Sequence, residues 1–263
     1  MDRPTTDDRR FWGDLGDPWV AQIAAAMPGG SVVEGCAGDL PDAVAAPTSC
    51  WVVHRAIPSK GDLERLAGWA EMSPRPRVLA ILGPHSRHFH WERVAGLVDR
   101  VVPESTAQEV LGRWLGVDRP RPSRRPPVAV VAGGPALREV LVAMAEAAGY
   151  AAHGSRAWAD AGPGPIAVWD APTLDPGWEA QLARESRTRR VVALLAFAER
   201  ETVAAARRAG ARAVLDLPVE PEDLAFALDR LAATLGDPPY RVPPPPRHGH
   251  HQPATLADRA EPA

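Results

Sequence analysis

Cysteine, lysine and tyrosine are nearly absent from this 263-residue chain, which holds two cysteines (Cys36 and Cys50), one lysine (Lys60) and two tyrosines. Two cysteines are too few for a disulfide framework or a Cys-rich zinc site, and both are read as small apolar core residues. The basic residues are almost all arginine, and the net charge of −3 exerts no general pull toward nucleic acid or an anionic membrane. No stretch approaches the roughly 18 apolar residues that a bilayer span requires. Residues Met1 to Arg10 are polar and lack the apolar core of a signal peptide. A cytoplasmic, reducing location is the expectation. Dinucleotide and P-loop glycine patterns are missing, as is any Ser-His-Asp or Cys-His grouping, so no catalytic residue, cofactor or resident metal is expected. Neither a helix-turn-helix nor a basic face supports a DNA-binding role.

What is there is an ordinary globular composition, 45% hydrophobic and 24% charged, with length enough for two domains. One pattern is written twice. Cys50-Trp51-Val52-Val53-His54, then Arg77-Val78-Leu79-Ala80-Ile81-Leu82-Gly83, then Asp99-Arg100-Val101-Val102-Pro103 make the first copy. Ile166-Ala167-Val168-Trp169-Asp170, then Val191-Val192-Ala193-Leu194-Leu195-Ala196, then Ala213-Val214-Leu215-Asp216-Leu217-Pro218 make the second. Short aliphatic runs without alternation are the mark of strands buried on both faces.

In the second copy, Val128–Ala132 adds another such run, and Gly133-Gly134-Pro135 breaks it and opens a helix. Leu137, Val140, Leu141, Met144 and Ala148 give that helix one apolar stripe, with Gly149 as its stop. Further helices are predicted over Trp178 to Arg187, over Glu199–Ala209, and from Pro221 through Leu224, Leu228, Leu231 and Leu235. Strands and helices alternating at this spacing imply an α/β fold with a parallel sheet covered on both faces. The first copy offers strands over Ser31–Glu34, Ser49–His54, Arg77–Gly83 and Asp99–Val102. No strand is legible before Pro18, because Phe11-Trp12-Gly13-Asp14-Leu15 is short and broken, so this half reads as a truncated or rebuilt copy. The expected layout is an N-terminal segment (1–17), a first unit (18–116), a Pro/Arg linker (117–127), a second unit (128–235) and a disordered Pro/His tail (236–263).

The second unit resembles the receiver domain of response regulators, the flavodoxin-like phosphoryl acceptor of two-component signalling. The resemblance rests on a strand ending at Asp170, on Leu194-Leu195-Ala196-Phe197 followed by Ala198-Glu199-Arg200-Glu201, on Ala209-Gly210-Ala211, and on Leu217-Pro218-Val219-Glu220-Pro221. The first unit looks like a more distant relative, with His54-Arg55-Ala56-Ile57-Pro58 where the family has its acceptor Asp and a later Pro. The resemblance implies two flavodoxin-like units in tandem. It also implies which groups would be needed for phosphoryl transfer: an acidic pair that binds Mg²⁺, the acceptor Asp, a Ser/Thr after the fourth strand and a Lys after the fifth.

These groups are largely gone. In the second unit Gly133 and Gly134 stand at the acidic pair, Leu195 at the hydroxyl and Leu217 at the lysine, leaving Asp170 alone; the aromatic switch position is Val214. In the first unit His54 replaces the acceptor, Leu82 and Val102 take the hydroxyl and lysine positions, and no acidic pair can be placed. Asp170 and His54 are therefore vestigial acceptor positions in degenerate pockets. A pseudo-receiver acting through protein contact is the expected function. Relatives commonly bind through the fourth helix, fifth strand and fifth helix, here Glu199–Ala209, Ala213–Leu217 and Glu222–Leu235, so a homodimer or a contact between the two units is expected there.

The alternative is a small-ligand or nucleotide-binding protein using the sheet edge near Gly133, Asp170 and Leu195, where Gly133-Gly134-Pro135 is either a tight turn or an anion cradle. His85, His88 and His90, with His54, are either loop histidines or ligands for Zn²⁺ or Cu²⁺. No carboxylate close in sequence orients His54 as a base. Trp51 and Trp169 lie on corresponding strands and on one face, which makes them core residues; Trp12, Trp19 and Trp114 are candidates for covering the join between the units.

Overall fold

The computed structural model describes residues 9–29, 31–35, 38, 40–41, 49–86, 88–117, 122, 124–196 and 198–235. Cys36, Phe197, most of the linker and the tail from 236 lie outside the described residues.

The first unit contains β1 (Arg9–Gly13), α1 (Pro18–Ala25), β2 (Val32–Gly35), β3 (Cys50–Arg55), α2 (Lys60–Ala70), β4 (Arg77–Leu82), α3 (His88–Ala95), β5 (Arg100–Pro103) and α4 (Glu104–Trp114). The second contains β6 (Val128–Val131), α5 (Pro135–Ala147), β7 (Ala152–Ser155), β8 (Ile166–Asp170), α6 (Trp178–Glu185), β9 (Arg190–Ala196), α7 (Arg200–Arg208), β10 (Ala213–Leu217) and α8 (Pro221–Ala233). Each unit has a five-stranded, all-parallel sheet, ordered β2-β1-β3-β4-β5 and β7-β6-β8-β9-β10. In chain order within each unit both read 2-1-3-4-5, the flavodoxin-like order that receivers share. The fold class expected from the sequence is the one observed, twice.

Two strands differ from the sequence reading. β1 lies inside the segment set apart as 1–17, so the first unit begins before residue 18 and its sheet is whole. It is a central strand between β2 and β3, with Phe11 fully buried. Its arginine is tolerated there because Arg10 donates to Glu34 on β2 at 2.8 Å and its guanidinium lies over the Trp51 ring. β7, Ala-His-Gly-Ser at the sheet edge, has no aliphatic run to reveal it. Val140, assigned to the inner stripe of α5, is 48% exposed, and Leu141 and Ala145 carry the buried face instead.

The strand tryptophans behave as core. Trp51 packs at 5.1 Å from Trp69 and 6.5 Å from Trp12, and Trp169 at 5.6 Å from Trp158. Trp12 thus belongs to the first unit's own core rather than to a join between units. Trp19 does sit at the join, with the guanidinium groups of Arg200 and Arg207 on its ring.

The two units share one core. A single apolar cluster runs from Phe11, Leu79 and Ile81 through Val110, Leu111 and Leu115 to Leu215, Leu224 and Leu228. Helix α4 makes this possible. It covers its own sheet on one side and packs on β10 and α8 on the other, so Ser105, Thr106, Ala107, Glu109, Val110 and Leu111 are all buried. Ion pairs rim this contact: Arg100 and Arg113 reach Asp223, and Glu109 meets Arg207 and Arg230. Helix α4 meets β10 and α8, and Arg200 and Arg207 of α7 reach its Glu104 and Glu109.

Candidate functional site

In a parallel α/β sheet, ligands and reactive groups gather beyond the carboxyl ends of the strands. At that edge of the first unit, β1 ends on Gly13, where a Cβ would stand only 3.1 Å from the Cβ of His54 at the end of β3. Glycine lets the two strand ends close on each other, and His54 is buried at 4% exposure. Its Nε2 lies 2.9 Å from Oε2 of Glu104, the residue that opens α4 directly after Pro103. An ionised carboxylate can only accept, so Nε2 carries the proton.

Glu104, 3% exposed, has a second partner from the other unit. Arg200, first residue of α7, donates through Nε to Oε1 and through Nη2 to Oε2 at 2.9 Å, while its Nη1 reaches Asp17 Oδ2 at 2.6 Å. Asp17 also caps α1 by accepting from the Trp19 amide. Burial alone would raise the Glu104 carboxyl, yet Arg200 and His54 together hold it below its ordinary value. The bidentate Glu104 contact, opposed by burial and aided by Asp17, raises Arg200 in turn. Asp17, Arg200, Glu104 and His54 thus form a chain of four side chains at this edge, with Arg200 supplied by the neighbouring unit.

Among the described residues no carboxylate close in sequence reaches His54; its partner Glu104 stands 50 positions away. Asp14 and Asp17 follow β1, three positions apart, in the stretch where the sequence offered no acidic pair. Asp14 is exposed and accepts from the Gly16 amide at 2.9 Å, while Asp17 is engaged by the α1 cap and Arg200. Leu82 and Val102 are each 2% exposed and belong to the core.

The second unit's edge is barer. Asp170 ends β8, partly buried, and no described side chain donates to it; burial raises its carboxyl above the ordinary 3.8. Leu195 and Val214 are fully buried in the cluster holding Trp169 and Leu182, and Leu217 is partly buried. Gly133 and Gly134 are exposed at the start of α5, where Arg138 donates to the Ala132 carbonyl at 2.9 Å. Asp170 and its neighbours therefore form no set of oxygen ligands. Among the described residues no group of three or more His, Cys, Asp or Glu is arranged to hold a metal ion. His54 is committed to Glu104, His85 is exposed, and the side chain of His88 lies outside the described residues.

An acid whose folded pKa is raised binds its proton more tightly when folded, so ionised Asp170 weakens the fold at pH values above 3.8 and not below it. Asp170→Asn is expected to raise the urea midpoint at pH 7 and to lose that advantage as the pH falls toward 4. An unchanged or lower midpoint at pH 7 would show that the carboxylate has a stabilising partner.

No protein-family model matches the sequence, and no curated protein does. Solved structures similar to it include a Burkholderia thailandensis protein described as a pilus assembly protein, at 26% identity over 41% of this chain and 98% of that one, TM-score 0.37. A Burkholderia pseudomallei protein described as pilus assembly-related is similar at 27% identity over 41% of this chain and 89% of that one, TM-score 0.37. The Escherichia coli RcsC C-terminus, with a linker and a phosphoreceiver domain, is similar at 15% identity over 89% of this chain and 96% of that one, TM-score 0.37. Among the described residues no helix is long and apolar enough to cross a membrane.

Proposed function

We propose that this chain is a non-phosphorylatable tandem pseudo-receiver, a cytoplasmic signalling protein that acts by protein contact rather than catalysis. The observation that carries this reading is the engagement of His54, which stands at the acceptor position and is tied to Glu104 and, through it, to Arg200 of the second unit. In the second pocket the positions that would grip a phosphoryl group are Leu195 and Leu217, which offer neither hydrogen bond nor charge. Asp170 has no carboxylate helpers, and Mg²⁺ is held by several oxygen ligands at once. Apolar residues at corresponding loops support contact with a partner: Ile57 after β3 is 51% exposed and Leu174 after β8 is 98% exposed.

Incubation with acetyl phosphate and Mg²⁺, followed by intact mass measurement, is expected to leave the mass unchanged. A stable phosphoryl adduct that Asp170→Asn abolishes would overturn the reading.

A further inference from the structure

Between the units lies a cleft whose lining includes three of the degenerate pocket positions, Leu82, Val102 and Leu217. A chamber of about 330 Å³ adjoins one of about 600 Å³, and the two share Ser86, Trp91, Pro103 and Asp216. The larger chamber runs between the outermost strands of the two sheets, walled by Val101 and Val102 of β5 and by Leu215 and Leu217 of β10. The smaller ends on Ser105, Glu199 and Asp216. Volumes of this order, apolar walls and a few convergent polar groups are the usual form of a small-molecule site.

The charges are uneven. Glu104 has Arg200, and Asp223 and Glu220 have Arg100 and Arg113. Asp216 has no cation among the described residues. Its carboxylate accepts from Ser105 Oγ at 3.1 Å and from the Ala198 amide at 3.4 Å, both neutral donors. Burial raises its carboxyl, and those bonds offset only part of the rise. Glu199 opens onto the same chamber, exposed and without an ion pair among the described residues. An ionised carboxylate drawn out of water without a counter-charge is costly, and a cation arriving from outside would relieve that cost. A bare metal ion would find too few oxygen ligands here and would leave the apolar chamber unused. The ligand must carry its charge on an organic body.

We infer that the cleft binds a small organic cation, a primary amine on a flat apolar frame. The ammonium sits between Asp216 and Glu199, and the frame lies against Trp91 between the two edge strands.

Tryptamine is a suitable probe, and indole-3-acetate matches its ring with the opposite charge. Calorimetric titration of the full chain is expected to show one tryptamine per chain. Indole-3-acetate should bind at least about ten-fold more weakly, since each ten-fold is about 1.4 kcal/mol. Asp216→Asn can keep the Ala198 bond on Oδ1 and reverse the Ser105 bond, its Nδ2 donating to Oγ, and should weaken tryptamine by a similar factor, while Glu139→Gln on the exposed face of α5 should leave it unchanged. Equal binding of the two indoles, no tryptamine heat at millimolar concentration, or undiminished binding to folded Asp216→Asn would each overturn the inference. The comparison of the two indoles needs no variant, so the test stands even if Asp216→Asn does not fold.

Discussion

Arg200→Ala is expected to lower stability at pH 7 by about 3 kcal/mol or more, the scale for removing one partner of a buried ion pair. For a chain of this size that corresponds to roughly 6–12 °C in the thermal midpoint. The guanidinium is partly exposed, but the carboxylate it leaves behind is not: Glu104 is 3% exposed and would keep only His54. Asp17 would lose its cation as well. The effect has a direction in pH. Glu104 is held below its ordinary 4.5, so its contribution is complete above that value and is lost as the pH falls through the lower folded pKa. The gap between wild type and variant should therefore be widest near neutrality and should narrow on acidification. Glu104→Gln combined with Arg200→Ala should cost less than the two single losses added, because the buried Glu104 charge is then no longer stranded. Equal midpoints for wild type and Arg200→Ala at pH 7 would mean that the interdomain chain contributes nothing.

Leu111→Ala is expected to cost between about 2 and 5 kcal/mol, the range for deleting a fully buried leucine. Leu111 lies on α4, in the cluster that joins both units, and the helix cannot collapse toward one sheet without leaving the other. The distinctive readout is where the damage spreads. Native-state hydrogen exchange should accelerate together in β3 and β8, the central strands of the two sheets. Protection lost in the first unit alone, or a cost below about 1 kcal/mol, would separate the units energetically.

Much of the fold was legible because its strands are buried on both faces. Val128–Ala132, Ile166–Asp170, Val191–Ala196 and Ala213–Leu217 are aliphatic runs that few other structures explain. β1 was hidden because its polar residues are neutralised by tertiary partners: the Arg10–Glu34 bond and the Trp51 ring are invisible in the order of residues. β7 was hidden because an edge strand needs no hydrophobic run. That Leu195, Leu217, Leu82 and Val102 are apolar is plain in the sequence. The side chains that gather at the first unit's edge were not legible there. Glu104 stands 50 positions from His54, and Arg200 stands 96 from Glu104 and 183 from Asp17. No local periodicity links them, and only the packing of α4 against the second unit brings them together. One signal was available: a glutamate directly after Val102-Pro103 at the start of a helix, close to where the family keeps its lysine.

The sharing of α4 between two sheets bears on dosage. Two receiver-like folds on separate chains would meet in proportion to how much of each the cell holds. Joined in one chain by a short connection, they face each other at an effective concentration on the order of millimolar, whatever the expression level. The paired arrangement is therefore a constant of the molecule. Only its abundance, or what binds it, remains free to vary.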